Sequence, residues 1–350
     1  MVPQRPPLTL VGVEGAAGFP TVRITEPCVP VLNCGMLPRL MFLIPILALC
    51  APVASAQTTP ASAIDPLIAS FHGKVSLYAH DLATGQVLAI DADQPVPTAS
   101  VIKLGILYTA LEQIRSGRAH FDDQLTLRHQ DQVPGSGVLL FFDTPMTLTL
   151  KDALTLMINQ SDNTAANLVI DYLGITAIDD QLVALGLKNT WLYKKVYQPP
   201  TGPMPPDQPQ FGLGKTTARE MGELMERFVT CDLASNPVGS APPAAPVTAS
   251  DQELCNAALH MLRVQFFRNS IPRYLESLDT TEGESAVANK TGALDHVRND
   301  VGAVYTKHGV IVISEFTHDN ADTSWTPDNE AEVLMAKIAK IIVDAWTPGS

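Results

Sequence analysis

The common catalytic signatures are missing from this chain. It contains no HExxH, CxxC, P-loop, GxGxxG or GxSxG string, so metal, redox and nucleotide chemistry have no foothold, and neither a metal nor a cofactor is expected. Charge is sparse and one-sided: 17% of residues are charged, with 23 Lys and Arg against 36 Asp and Glu, a formal net charge of −13. No basic patch is dense enough to neutralise phosphates, which excludes a nucleic-acid partner. Repeats of solenoid length are absent, and the eight histidines are scattered singly, each reading as surface or core. Cysteine is scarce, five in 350 residues. Proline is not: there are 28, and they cluster. A 46% hydrophobic composition excludes a disordered chain and leaves ample material for a core.

The first segment reads as a leader. Leu40 to Ala56 is 17 residues without a charge, preceded by Arg39 and ending Ala54-Ser55-Ala56. A cation, an apolar run and a small-x-small end describe a secretory signal peptide cut after Ala56. The run is short for a span and carries Pro45 and Pro52, so no stable membrane span is expected after cleavage. Met36 reads as the natural start. Residues 57–350 then form the mature, periplasmic or secreted chain. Cys231 and Cys255 are its two cysteines, and in an exported protein they are expected to pair across the Pro/Ala-rich stretch 236–250.

Hydrophobic periodicity predicts a short helix over 64–71 and a hairpin of strands 74–79 and 86–90 around Ala83-Thr84-Gly85. Helices follow over about 100–116, 150–159, 163–173, 176–185, 215–229 and 251–267. Strands are predicted over 286–290, 301–306 and 310–317, and a closing helix over 329–345. This order gives an α+β fold: an antiparallel sheet flanked by helices, built from about 60–98 and 286–346, plus an all-helical lobe over about 100–285.

Three short motifs stand in order. Ser100-Val101-Ile102-Lys103 lies at a predicted helix start, where positions i and i+3 share a face. A desolvated Lys103 would accept the Ser100 proton, and helical N–H groups would favour developing negative charge. The plainer alternative is an N-cap serine with a solvated lysine one turn on. Ser161-Asp162-Asn163 joins two helices; in an extended loop Ser161 and Asn163 face one way, for proton relay and amide binding, while Asp162 faces away and holds the loop. A plain cluster of N-cap residues would look the same. Lys290-Thr291-Gly292 ends a strand-like run, with a positive charge, a glycine that admits a ligand and the Ala293 N–H as an oxyanion donor. It also reads as a polar strand end entering a turn.

With all three in this order, the chain resembles the class A β-lactamase family of penicillin-recognising serine hydrolases, whose signature is S-x-x-K, S-D-N and K-T-G. The run LTLRHQDQVPGSGVLLFFDTPMTLTLKDALTLMINQSDNTAANLVIDYLG and KTGALDHVRNDVGAVY are similar to the family throughout, and the likeness covers roughly residues 64–346. It implies a serine β-lactamase/DD-peptidase-like fold. It implies Ser100 as nucleophile, with its own N–H and that of Ala293 forming an oxyanion hole. Lys103 resembles the general base, Ser161 the proton shuttle and Lys290 the group that tunes it. Asn163 resembles the residue that binds the substrate's side-chain amide, Thr291 the one that holds its carboxylate, and Asn167 the asparagine that braces the family's omega loop. Arg298 stands in the hairpin where a carboxylate-binding arginine is plausible.

Two departures qualify the likeness. The family deacylates with a water activated by an omega-loop glutamate, and here Val196 falls near its place. From Leu192 to Gly214 there is no glutamate; Asp207 is the one acidic residue, and six of the thirteen residues 198–210 are proline. Leu294 stands where the family usually has a small residue. The expected function is therefore an exported, monomeric serine hydrolase that opens β-lactam amides through an acyl-enzyme and deacylates slowly. Two alternatives share the same motifs: a penicillin-binding peptidase or esterase-like acyl-transfer enzyme on an acyl-peptide, and a binding module that acylates without turnover.

Overall fold

Asp81 shows how local chemistry starts the sheet. Its carboxylate accepts from the Ala83 and Thr84 N–H groups and from the Thr84 hydroxyl (2.7 Å), an Asx-type turn that reverses the chain after β1 (Lys74–Asp81) into β2 (Val87–Ile90). The computed structural model describes residues 59–234, 248–275 and 286–347. The expected leader lies outside the described residues, as does most of the stretch 236–250.

Helix α1 (Pro60–Ser70) precedes this hairpin. After it come β3 (Val96–Pro97), a 3₁₀ turn at Ala99–Ile102, α2 (Lys103–Arg115) and a small hairpin of β4 (Gln124–Leu127) and β5 (Met146–Thr149). Then follow α3 (Leu150–Asn159), α4 (Asn163–Leu173), α5 (Ile175–Ala184), β6 (Trp191–Leu192), α6 (Gln208–Phe211) and β7 (Gly214–Thr216). The described chain closes with α7 (Ala218–Thr230), α8 (Ala249–Arg263), β8 (Val287–Leu294), β9 (Val297–Thr306), β10 (Gly309–His318) and α9 (Glu330–Trp346).

The five long strands pair antiparallel in the order β2-β1-β10-β9-β8, so the two ends of the described chain share one sheet. One face, with Leu77, Val304 and Ile313, packs on Ile64 of α1 and on Leu334, Ile338 and Ile342 of α9. The other, with Tyr78, Val301 and Val312, packs on α7 and the central helices around Leu104, Leu107 and Phe228. Each fully buried Leu or Ile contributes about 1.5–3 kcal/mol, so both faces are strongly specified. The α+β architecture expected from the sequence is the one observed.

Helices α3 and α4 begin at side-chain caps, Thr149 with Asp152 in a capping box and Asp162 accepting from the Ala165 N–H. Cys231 and Cys255 form a disulfide that ties the end of α7 to α8. Several boundaries differ from expectation. The helix predicted from Ser100 begins at Lys103, and the one predicted from 215 begins at Ala218, because residues 214–216 form a strand beside β3 and β6. The helix predicted to 267 ends at Arg263. Strands β8 and β9 run toward each other to Leu294 and Val297, so K-T-G sits inside a paired strand rather than at its end.

Candidate active site

Ser100 is presented by backbone geometry rather than by a regular helix. Ala99, immediately before it, has φ 43°, a left-handed conformation that costs a non-glycine residue on the order of 1–3 kcal/mol. Asn299 on β9 holds this segment, its Nδ2 donating to the carbonyls of Pro97 (2.9 Å) and Thr98 (3.2 Å). Gly292 of β8 comes closest. A Cβ there would lie 2.8 Å from the Thr98 carbonyl oxygen and 3.0 Å from the backbone nitrogens of Ser100 and Val101, so the third position of K-T-G has to be glycine.

The S-D-N loop is fixed by its middle residue. Asp162 is buried and accepts from the N–H groups of Val138 (2.7 Å), Leu139 (2.9 Å) and Ala165 (2.8 Å). Gly137 lets the neighbouring loop pass, since a Cβ on it would lie 2.2 Å from the Asp162 carboxyl group. Asp162 thus faces away from the cleft and holds the loop, as its place in the sequence suggested. Ser161 takes a left-handed φ of 52°, a second strained non-glycine residue at the site.

Two lysines without exposed surface converge on the Ser161 hydroxyl. Lys290 Nζ donates to Ser161 Oγ at 3.0 Å and to its neighbour's carbonyl, Thr291 O, at 2.7 Å. Lys103 Nζ donates to Ser161 Oγ at 3.2 Å, Ser161 O at 2.7 Å and Asn163 Oδ1 at 3.0 Å. The sequence sets Lys103 on the face of Ser100, and its three hydrogen bonds lead to the S-D-N loop. Burial and the positive charge of Lys290 hold the Lys103 amine well below the usual lysine range, opposed by Asp162. Burial brings Lys290 down to about 7, opposed by Asp300. Asn163 Nδ2 donates to the Pro134 carbonyl (3.1 Å), which leaves one amide proton for a ligand.

Ser100, Ser161, Thr291, Gly292 and Ala293 line one cleft of about 250 Å³. Lys103, Lys290 and Asn163 stand behind it, bonded to or within the S-D-N loop. The cleft has a second wall that sequence reasoning missed: Phe267 and Asn269 after α8, and Trp325 and Thr326 before α9. These residues lie in loops without periodicity or motif, so no sequence signal marks them. Arg298 reaches the cleft but is occupied there. Its guanidinium donates to the carbonyls of Leu294, Val297 and Ser324, stacks 4.5 Å from the Trp325 ring and lies 3.5 Å from Glu332. Its fork braces the hairpin rather than offering itself to a carboxylate.

Across the site, Asn167 of α4 clamps the backbone of Val196. Asn167 Nδ2 donates to the Val196 carbonyl (3.0 Å) and Asn167 Oδ1 accepts its N–H (2.8 Å). Asp207 is turned elsewhere, paired with Lys215 Nζ at 2.6 Å and accepting from the Tyr193 hydroxyl at 3.3 Å. Among the described residues, no group of three or more His, Cys, Asp or Glu is placed to hold a metal ion. No helix among them is long and apolar enough to cross a membrane.

A family model described as the beta-lactamase enzyme family matches residues 59–346. A beta-lactamase of Streptomyces fradiae is 26% identical over 290 residues, covering 78% of this chain and 82% of the relative. The beta-lactamase regulatory protein BlaB of Streptomyces cacaoi is 23% identical over 297 residues, covering 77% and 91%. The crystal structure of a beta-lactamase from Sphaerobacter thermophilus superposes with a TM-score of 0.66 at 28% identity, covering 82% of this chain and 96% of that one.

Proposed function

Because the chain belongs to the beta-lactamase enzyme family, we propose that it is an exported serine hydrolase that opens β-lactam amides through an acyl-enzyme on Ser100 and releases the acyl group slowly. The observation that carries this reading is an asymmetry. The acylation side has two buried lysines on one serine hydroxyl, whereas the segment clamped by Asn167 offers Val196 and no carboxylate.

In the forward step Ser100 Oγ attacks the lactam carbonyl and its proton passes to Lys103 in its uncharged form, which burial and the Lys290 charge favour and in which the amine keeps two of its three hydrogen bonds and frees a lone pair. The developing oxyanion lies against the N–H groups of Ser100 and Ala293. As the C–N bond breaks, Ser161 Oγ gives its proton to the leaving nitrogen and is reprotonated from Lys103, with the Lys290 ammonium stabilising the hydroxyl's developing charge. Thr291 holds the substrate carboxylate, and the spare Nδ2 proton of Asn163 binds the side-chain amide. Deacylation needs a base beside the ester. Val196 cannot deprotonate water, and Asp207 is committed to Lys215, so the ester persists.

A second reading, a binding module that acylates without turnover, is favoured by the same Val196 and by likeness to a relative named as regulatory. One experiment separates them: a penicillin and nitrocefin time course on residues 57–350 with intact mass spectrometry. The expected result is a stoichiometric burst, a long-lived adduct on Ser100 and slow steady turnover, all lost in Ser100→Ala. A permanent adduct supports the binding module. Rapid turnover refutes slow deacylation, and no adduct refutes the nucleophile.

A further inference from the structure

Asp300 lies in the middle of β9 with no exposed surface. It stands opposite Thr291 of β8 on one side and opposite Glu315 of β10 on the other. Side chains alternate along a strand, so Asp300, Thr291 and Glu315 share the sheet face toward α9, while Lys290 points through the opposite face to Ser161. Asn289 Nδ2 donates to both Asp300 oxygens (2.9 and 3.2 Å), and the Ile271 N–H donates to Oδ2 (3.1 Å). Glu315 is equally buried, and among the described residues neither of its carboxyl oxygens has a hydrogen-bond partner. Among the described residues, the other charged groups on this face are Arg298 of β9 and Glu332 of α9, which face each other at 3.5 Å, while on the opposite face Lys103 of α2 meets Lys290 at Ser161 Oγ.

Two carboxyl groups opposite each other in a dry interior do not both ionise. Three donated hydrogen bonds favour charge on Asp300, and nothing favours it on Glu315. Burial pushes Asp300 up to about 7 against these bonds and the nearby Lys290 charge, and holds Glu315 well above the carboxylate range. Lys290, brought down to about 7 by burial, is supported by Asp300. Charge on either member of the pair therefore sustains charge on the other near neutrality.

We propose that Asp300 is a positioning residue that keeps the Lys290 ammonium charged from the far face of the sheet, with Glu315 held neutral so that one negative charge stands there. Asp300 acts through Lys290 and touches no substrate. The proposal rests on the reading that the Lys290 ammonium assists acylation at Ser161, and it adds the group that sets the pH range of that assistance.

The test measures Ser100 acylation by penicillin G from about pH 5 to 9, by intact mass, in wild type, Asp300→Asn and Glu315→Gln. In Asp300→Asn the alkaline fall in rate moves down by about one pH unit or more, the effect of removing a nearby opposite charge. In Glu315→Gln it stays in place. An unmoved fall in Asp300→Asn overturns the proposal, and an equal movement in Glu315→Gln overturns the assignment of the charge. If Asp300→Asn does not fold, Asn289→Ala removes the amide that makes two of the three bonds, leaves Asp300 present and must move the fall in the same direction; no movement overturns the proposal. A fluorophosphonate run in parallel reports Ser100 reactivity should β-lactams prove not to be substrates. Should neither reagent label Ser100, the functional reading fails, and unfolding midpoints decide about Asp300. Asp300→Asn must then gain on wild type as pH rises from about 5 to 7, because the buried acid loses its stabilising proton over that range. A pH-independent difference overturns the proposal.

Discussion

Val196→Glu puts a carboxylate where the Asn167 clamp fixes the backbone. The clamp is made entirely of Val196 main-chain atoms, N–H to Asn167 Oδ1 at 2.8 Å and carbonyl to Nδ2 at 3.0 Å, so it survives any change of side chain. Val196 is partly buried at the edge of the helical core, and its replacement costs about 1 kcal/mol of apolar burial. Against this, a positioned general base contributes about 10²–10⁴ to a proton-transfer step, roughly 3–5 kcal/mol of barrier. The variant should therefore acylate at the wild-type rate and shed its penicilloyl adduct at least about 10² faster. Intact mass spectrometry after removal of free penicillin measures the decay directly. Val196→Gln has nearly the same shape without the charge and must leave the adduct as long-lived as in wild type. Equal acceleration by Gln, or an unchanged lifetime in Glu with acylation intact, refutes the argument that the missing carboxylate limits deacylation.

Gly292→Ala places a Cβ against three backbone atoms of the turn that carries Ser100, none of which yields without moving the nucleophile. Acylation should fall by about 10² or more while circular dichroism shows a folded chain. Replacing Cys231 and Cys255 together by alanine opens a link spanning 24 residues in sequence, which the chain-entropy model values at about 3.5 kcal/mol; urea unfolding should register a loss of this order. Burial, helped by the Glu226 charge, pushes the Glu223 carboxyl up to about 7. Its proton is bound more tightly in the folded chain, so the stability it contributes is present in acid and is lost as pH rises toward 7. Glu223→Gln should thus be more stable than wild type at about pH 8 by an amount on the order of 1 kcal/mol, and no more stable at about pH 4.

Helices α3 and α4 were legible because both of their signals are local: apolar residues at helical spacing and caps at Thr149 and Asp162. The motif residues were legible as types, but their partnerships were not. Lys103 stands one turn from Ser100 in sequence, yet its amine is drawn to the S-D-N loop by acceptors 58 and 60 residues away, which no i,i+3 argument contains. The 3₁₀ turn at Ser100 depends on the approach of Gly292, again a tertiary fact. The most consequential difference between expectation and structure is at β9. Begun at Val301, the strand leaves Arg298, Asn299 and Asp300 as a polar hairpin tip. Begun at Val297, where the ladder with β8 begins, it buries all three. Polar residues read as a turn when their partners are distant in sequence, and here Asn289, Pro97 and Ser324 are those partners.

That burial bears on how the site resists its own electrostatics. Two amines stripped of water and aimed at one hydroxyl disfavour each other's charge, and Lys290 is among the causes that lower Lys103. Each has a buried acid opposing the shift, Asp162 for Lys103 and Asp300 for Lys290. Among the described residues, neither acid forms an ion pair with another cation. Asp162 rests on three backbone N–H groups, and Asp300 on one backbone N–H and a side-chain amide, so their charge remains available to the lysines. The two supports differ in reach: Asp162 lies in the loop that receives the Lys103 amine, whereas Asp300 acts through the sheet. Lys103 nevertheless remains well below the lysine range, and Lys290 settles near neutrality. Unequal supports of this kind suit the proposed division of labour, in which one amine accepts a proton while the other stays charged beside it.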